Sequence, residues 1–311
     1  MSNLPPERLD LSKRPFSYVG IDCFGPYMVK YGRSEVKRYG LIVTCFCCRA
    51  VHIEKLDSLD TDSFLNGLRR FISRRGPPLM IWSDRGTNFV GAQNELLQGI
   101  KEVDAKTIQN FCLQKSIEWN FNPPGASHMG GVWERLIGVI KKVLAGVLKD
   151  RRLTDEILCT LFAEVESIVN SRPMTKLSEN VDDLSVLSPN HLLVMADGVS
   201  IPFAKFSRSD MYKRRWRYVQ YLSDLFWRRW LREYLPELQK RNKWFESRRN
   251  LKVGDLVLLV DENTPRYLWP LGVVVEVCEG RDGLVRSVKV KTRSTVLVRP
   301  ITKVVLIEEN D

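Results

Sequence analysis

Apolar and polar residues alternate from Ser17 to Phe24, and this two-residue period predicts a strand with Asp22 near its end. Two further apolar runs, Tyr39 to Cys47 and Ala50 to Leu56, predict strands spaced closely enough for an antiparallel meander. The period then lengthens. Phe64, Leu65, Leu68, Phe71 and Ile72 share one face of a helix expected over Asp62 to Arg74, capped by Asp60 or Thr61 and stopped by Gly76-Pro77-Pro78. Leu79 to Ser83 reads as a short buried strand, with Asp84 just past its end. Helical patterns follow at about 91–101 and 104–115, then a fifth strand at Ile117 to Phe121 and a loop from Asn122 to Gly131. Two more helices are expected, at about 132–149 and 154–170. Helices interleaved with these strands predict an α/β fold, a mixed sheet with flanking helices.

Beyond a polar stretch at about 176–204 lies a basic helical segment. Tyr212, Trp216, Val219, Leu222, Phe226, Trp230 and Tyr234 step by three or four along it and predict one apolar face packed on protein. Residues 255–307 hold five short strand patterns, which suggest a small β-barrel. There Lys289, Lys291 and Arg293 alternate with Val288, Val290 and Thr292, so the pleat sets three cations on one face. They are either a solvated outer face or a phosphate-binding stripe. The expected organisation is an extended lead-in over 1–14, a core over 15–196, a basic aromatic connector over 197–250 and the barrel over 251–308.

Composition narrows the classes. At 311 residues, 44% hydrophobic and 27% charged, the chain is neither disordered nor collagen-like, and about two domains are expected. No apolar run approaches the ~18–20 residues that cross a bilayer, so no membrane partner is expected. The first residues lack the apolar core of a secretory signal. The net charge is +11, and the stretch from Lys205 to Lys252, with 15 Lys+Arg against 5 Asp+Glu, holds nearly all of it together with four of the eight tryptophans. Cations interleaved with aromatics fit a polyanion partner; the arginines could equally be the solvated side of a packed helix. Seven cysteines and three scattered histidines give no set of four zinc ligands, and reduced, buried thiols are expected.

Three acids stand out by position: Asp22 after an apolar strand, Asp84 between a strand and the turn Arg85-Gly86, and Glu134 at a helix start after Gly130-Gly131. Each alone is usually a turn-former or cap. Brought together, they form an oxygen-only donor set suited to Mg²⁺ or Mn²⁺, and two such ions can serve phosphoryl transfer. No Ser-His-Asp or Cys-His arrangement competes.

The motifs carrying these acids are Tyr18-Val-Gly-Ile-Asp22-Cys-Phe-Gly-Pro26, Trp82-Ser-Asp84-Arg-Gly86-Thr-Asn88-Phe89 and Asn122-Pro-Pro-Gly-Ala-Ser-His-Met-Gly-Gly-Val-Trp-Glu134-Arg135. With Asn170-Ser-Arg-Pro173, Leu187-Ser-Pro-Asn-His-Leu192, Val253-Gly-Asp-Leu-Val257 and Trp269-Pro-Leu-Gly272, they resemble integrases of the retroviral and LTR-retrotransposon kind, closest to BEL/Pao elements. The resemblance implies a ribonuclease H-like core, an SH3-like C-terminal barrel and a D,D,E triad of Asp22, Asp84 and Glu134 holding two Mg²⁺ (or Mn²⁺). It implies trimming of element DNA ends and joining of the 3′-OH to target DNA. It further implies double-stranded DNA partners, a homo-oligomer (dimer or tetramer) and action in the nucleus. Lys141, seven residues after Glu134, resembles the family's lysine that contacts element DNA. Arg135, Lys142, His128, Asn88, Arg214, Arg215 and Arg217 are further candidates for DNA contact, beside the Lys289, Lys291 and Arg293 stripe. Integrases of this type carry an N-terminal His-His-Cys-Cys zinc domain, which this chain is expected to lack. A catalytically silent or host-domesticated DNA-binding descendant is the alternative, and a ribonuclease H acting on RNA–DNA hybrids a third reading.

Overall fold

A computed structural model describes residues 12–83, 117–121, 131–177, 184–194, 206–212, 214–238, 249–261, 264–280 and 282–310. The chain divides into two compact units. The first comprises Met1–Val169 with Arg208–Val219, and the second Asn170–Ser207 with Gln220–Asp311. The helical patterns at 91–101 and 104–115 lie outside the described residues.

The first unit is a mixed sheet. Strands β1 (Tyr18–Tyr31), β2 (Ser34–Cys45) and β3 (Val51–Leu56) form the expected antiparallel meander. After helix α1 (Thr61–Arg75), β4 (Met80–Ser83) returns parallel to β1, and β5 (Glu118–Phe121) lies parallel to β4. The order is β3-β2-β1-β4-β5, so β1 is the middle strand. It runs seven residues beyond the predicted end. Gly25-Pro26 reads as a breaker by composition, but the β1–β2 register absorbs it as an irregularity between Phe24 and Tyr27, a position where a sheet tolerates proline.

Helix α1 starts on Asp60, whose carboxylate accepts the Ser63 N–H at 2.7 Å. It ends at Gly76, whose φ of +83° is one that L side chains rarely adopt. Its buried face carries Phe64, Leu68 and Phe71, and Gly67 lies so close to Leu56 that a Cβ would meet that side chain at 2.4 Å. Helices α2 (Gly131–Leu148) and α3 (Asp155–Asn170) complete the unit. Phe162 of α3 packs on Phe24 and Tyr27 at ring distances of 5.5 and 6.0 Å. Leu41 pairs with Cys23, so Phe24 points to the opposite face from Leu41 and its neighbour Leu56. Helices therefore cover both faces of the sheet.

In the second unit β6 (Thr175–Lys176) and β7 (Val186–Leu187) form a two-stranded ribbon, followed by the short helix α4 (Pro189–Val194). The sequence shows only a polar stretch there, because two-residue strands are too short to display a period. Helix α5 (Arg215–Leu238) leads toward β8 (Leu256–Leu259), β9 (Leu271–Glu279), β10 (Val285–Lys291), β11 (Val296–Pro300) and β12 (Val304–Glu308). These five strands form an antiparallel sheet of order β11-β10-β9-β8-β12. Val257, Val274, Val288 and Val290 anchor its core, while Leu256 and Val273 pack with Leu184 in a second cluster. All four residues of β8 are buried.

Along α5, Leu222, Phe226, Trp227, Trp230, Leu231 and Leu235 are buried. Trp227 donates its indole N–H to the Thr264 carbonyl at 2.7 Å and meets Trp269 edge-on at 4.9 Å, while Arg266 pairs with Asp224 at 2.8 Å. The predicted apolar face packs on protein from Val219 onward.

Candidate active site

Asp22 sits on β1 opposite Ile42 of β2. On its other side β1 faces β4, with Gly20 beside Trp82. Asp22 is two residues beyond Gly20, and Asp84 is two residues beyond Trp82 in the sequence. The last described residue of β4, Ser83, is buried, and its hydroxyl accepts the indole N–H of Trp119 from β5 at 2.9 Å. That bond pins the end of β4 one residue before Asp84.

Helix α2 reaches the site by its packing. Ile137, Ile140, Val143, Leu144 and Val147 form its buried stripe, and Lys141 flanks that stripe. The Lys141 ammonium donates to the Asp22 carboxylate, with the two side chains 30% and 36% exposed. Glu134 belongs to the first turn of the same helix. Seven residues are two helical turns, so positions 134 and 141 share a face about 10 Å apart along the axis. From Lys141 a groove of about 730 Å³ runs past Ala145 to Lys149, Arg151 and Arg152, with Cys23 to Met28 of β1 as its other wall.

The structure thus joins Asp22 to Lys141. Asp84, Asn88 and His128 lie outside the described residues, and only the helical position of Glu134 is described. Arg135 and Lys142 are exposed on α2. Arg214 and Arg215 are exposed at the start of α5, where Arg215 lies 3.4 Å from Glu156 and Arg217 donates to Asp210 at 2.8 Å. In the second unit, Lys289 pairs with Glu276 at 2.7 Å, which raises the lysine's pKa, while Lys291 and Arg293 are exposed. Val288 and Val290 are buried between those cations, as the pleat predicts. Among the described residues no three His, Cys, Asp or Glu side chains converge as a metal site, and no helix is long and apolar enough to cross a membrane.

Two polar clusters escape the sequence reading. His52 of β3 is buried with one ring nitrogen 3.0 Å from Glu54 and the other 3.0 Å from Glu166 of α3. Arg70 and Arg74 of α1 also hold Glu54, and Arg75 holds Glu166. Burial alone would lower the His52 pKa, but the two glutamates outweigh it and raise it. Burial would likewise raise both glutamates, yet the His52 hydrogen bonds, aided by the arginines, lower them. These groups are up to 114 positions apart, so no local motif marks them. The second cluster carries a local signal. Cys45 and Cys48 stand in C-x-x-C spacing, which corrects the reading that the cysteines show no such spacing. The Cys48 thiol hydrogen-bonds to Cys45 and, with the Phe16 N–H at 3.2 Å, brings the Cys45 thiol down to about 6.

Residues 214–307 match a family model described as a family of unknown function (DUF5641). No curated protein matches the chain. Among solved structures, the chain is similar to one in the cryo-EM structure of the simian T-cell lymphotropic virus intasome in complex with PP2A regulatory subunit B56 gamma, at 12% identity and a TM-score of 0.38. That match covers 94% of this chain and 79% of the other. It is also similar to the HTLV-2 integrase catalytic core domain in complex with magnesium. The trimeric form matches at 19% identity and a TM-score of 0.35, covering 58% of this chain and 97% of that one. The dimeric form matches at 20% and 0.33, covering 50% and 88%.

Proposed function

We propose that this chain is an integrase-like polynucleotidyl transferase acting on double-stranded DNA. The observation that carries the reading is the half-exposed Asp22 carboxylate on the middle strand of a mixed sheet, met by a cation from the helix that bears Glu134. Where a parallel strand ends beside such a carboxylate, an open α/β sheet offers a crevice for ligand. The three sequence motifs around Asp22, Asp84 and Glu134 support the same reading.

The donor chemistry fits a hard cation. Asp22, Asp84 and Glu134 supply only carboxylate oxygens, and the Lys141 ammonium on Asp22 shows that this position accepts positive charge. A pair of Mg²⁺ or Mn²⁺ ions would be held by these three acids and would supply polarisation of the phosphodiester and activation of the attacking oxygen. Lys141 orients Asp22 and offers its ammonium to a phosphate. Arg135, Lys142, Asn88 and His128 flank the triad in sequence and contact DNA in this reading. Arg214, Arg215, Arg217, Lys289, Lys291 and Arg293 add sequence-independent attraction to the backbone.

We further propose that the chain comes from a BEL/Pao-like element, that its second sheet is an SH3-like barrel, and that a dimer or tetramer trims element ends and joins them to target DNA in the nucleus. The purified chain, given Mg²⁺, short duplexes and a plasmid, should nick and join DNA. Chelation should stop the reaction, and Mg²⁺ or Mn²⁺ should restore it. Asp22→Asn should abolish product while duplex affinity stays within about twofold. Binding without cleavage by the unaltered chain would favour a silent descendant, and cutting confined to RNA–DNA hybrids a ribonuclease H.

A further inference from the structure

The periodic stripe of α5 predicts that Trp216 is buried with Val219 and Leu222. Those two are 3% and 0% exposed, but Trp216 is 55% exposed. Among the tryptophans whose exposure is described, Trp119, Trp227 and Trp230 are at 9% or less, and Trp82 and Trp269 are intermediate. Trp119 and Trp227 also hydrogen-bond their indole N–H groups within the fold. Tyr218, off the predicted stripe, is buried instead. The helix thus begins with a large indole on the surface at a position whose period says core.

Its surroundings say what it suits. Arg214 and Arg215 precede it and are exposed. The Arg217 guanidinium lies 5.8 Å from the Trp216 ring centroid and is steadied by Asp210 at 2.8 Å. Three guanidinium groups and one presented ring lie within four consecutive residues. A duplex offers base edges and phosphates but no free base face except at its ends, whereas an unpaired base offers a face to stack and a phosphate on either side. The arginines make the patch cationic, so its partner carries negative charge.

We propose that Trp216 stacks on an unpaired base while Arg214 and Arg215 hold the adjoining phosphates, so that this patch binds the single-stranded tail of a DNA end. The inference rests on the nucleic-acid reading above and narrows its substrate to DNA with an unpaired segment.

Fluorescence anisotropy of the full chain with a blunt duplex, and with the same duplex bearing a short unpaired tail, tests it. The unaltered chain should bind the tailed duplex about 5- to 150-fold more tightly, the range for one base stack. Trp216→Ala should bring the tailed duplex down to the blunt value, and Trp216→Phe should restore part of the difference. Arg214→Ala with Arg215→Ala should weaken both and reduce the salt slope by about 2. Circular dichroism checks that each variant is folded. If the unaltered chain binds neither DNA, the nucleic-acid reading fails and takes this inference with it. If it binds both equally, or if Trp216→Ala keeps the preference for a tail, only the stacking role is overturned. If Trp216→Ala abolishes self-association in sedimentation while the preference survives, the ring belongs to an interface between copies, and the inference is likewise overturned.

Discussion

In the first unit β1 runs antiparallel to β2 and parallel to β4, whereas every strand pair of the second unit's five-stranded sheet is antiparallel. The two sheets also treat their carboxylates differently. Asp255 in the second unit is fully buried, held by Arg249 at 2.9 Å and by the backbone N–H groups of Lys252 and Asn310 at 2.8 and 3.0 Å. Burial would raise its pKa, but these partners lower it, Arg249 foremost. Asp22 instead stays 36% exposed and meets Lys141, a lysine that is itself 30% exposed. A carboxylate whose acceptors are filled by the fold stabilises the fold. One left at the surface of a switch between antiparallel and parallel neighbours is available to a ligand.

The largest expected effect in stability should break the second unit. Asp255→Ala leaves Arg249 and two backbone donors without their acceptor, and should cost about 3–5 kcal/mol in urea unfolding. Asp22→Asn removes a half-exposed pair worth about 0–1 kcal/mol and should hardly move the midpoint. Equal losses for the two variants would end the contrast.

His52 sharpens it next, because the first unit does contain buried charge, confined to structural work. His52→Gln should cost about 1–3 kcal/mol at pH 6. The folded-state pKa of His52 is raised, so its contribution is complete below the unfolded value of about 6.5 and is lost as pH rises through the folded value. Glu54 and Glu166 are lowered, so theirs is present above the ordinary glutamate range and lost as pH falls through the lowered values. The drop in urea midpoint caused by His52→Gln should therefore be largest near pH 6 and shrink toward alkaline pH. Parallel curves would remove His52 from the account.

Two indoles give the finest comparison. Trp119→Phe and Trp227→Phe each delete one hydrogen bond and part of a buried ring, and should each cost about 1–3 kcal/mol. Only Trp119→Phe should also slow the proposed DNA cleavage, since it removes a hydrogen bond to the Ser83 hydroxyl at the end of β4. Equal cleavage by both variants would show that the end of β4 is held by other means.

Much of the first sheet was legible in the chain. The predicted helix over Asp62 to Arg74 is observed at Thr61–Arg75, and the strand at Ile117 to Phe121 at Glu118–Phe121. The five C-terminal strand patterns each became a strand. These follow from local periods and from stop signals such as Gly76-Pro77-Pro78. The extension of β1 past Gly25-Pro26 was not legible, because a bulge depends on the partner strand. Trp216 was misread for a related reason: a period says which residues share a face, and not whether anything covers it.

The sequence by itself determined the alternation of strand and helix, the concentration of positive charge between Lys205 and Lys252, and the identity of the acids in the three motifs. Tertiary structure alone decided that Lys141 meets Asp22 across 119 positions, that His52 lies between glutamates from β3 and α3, and that Trp216 is 55% exposed. The reason is that short-range sterics and hydrophobic period act between neighbours in the chain, while charge pairing and coverage act between surfaces that only the folded path brings together.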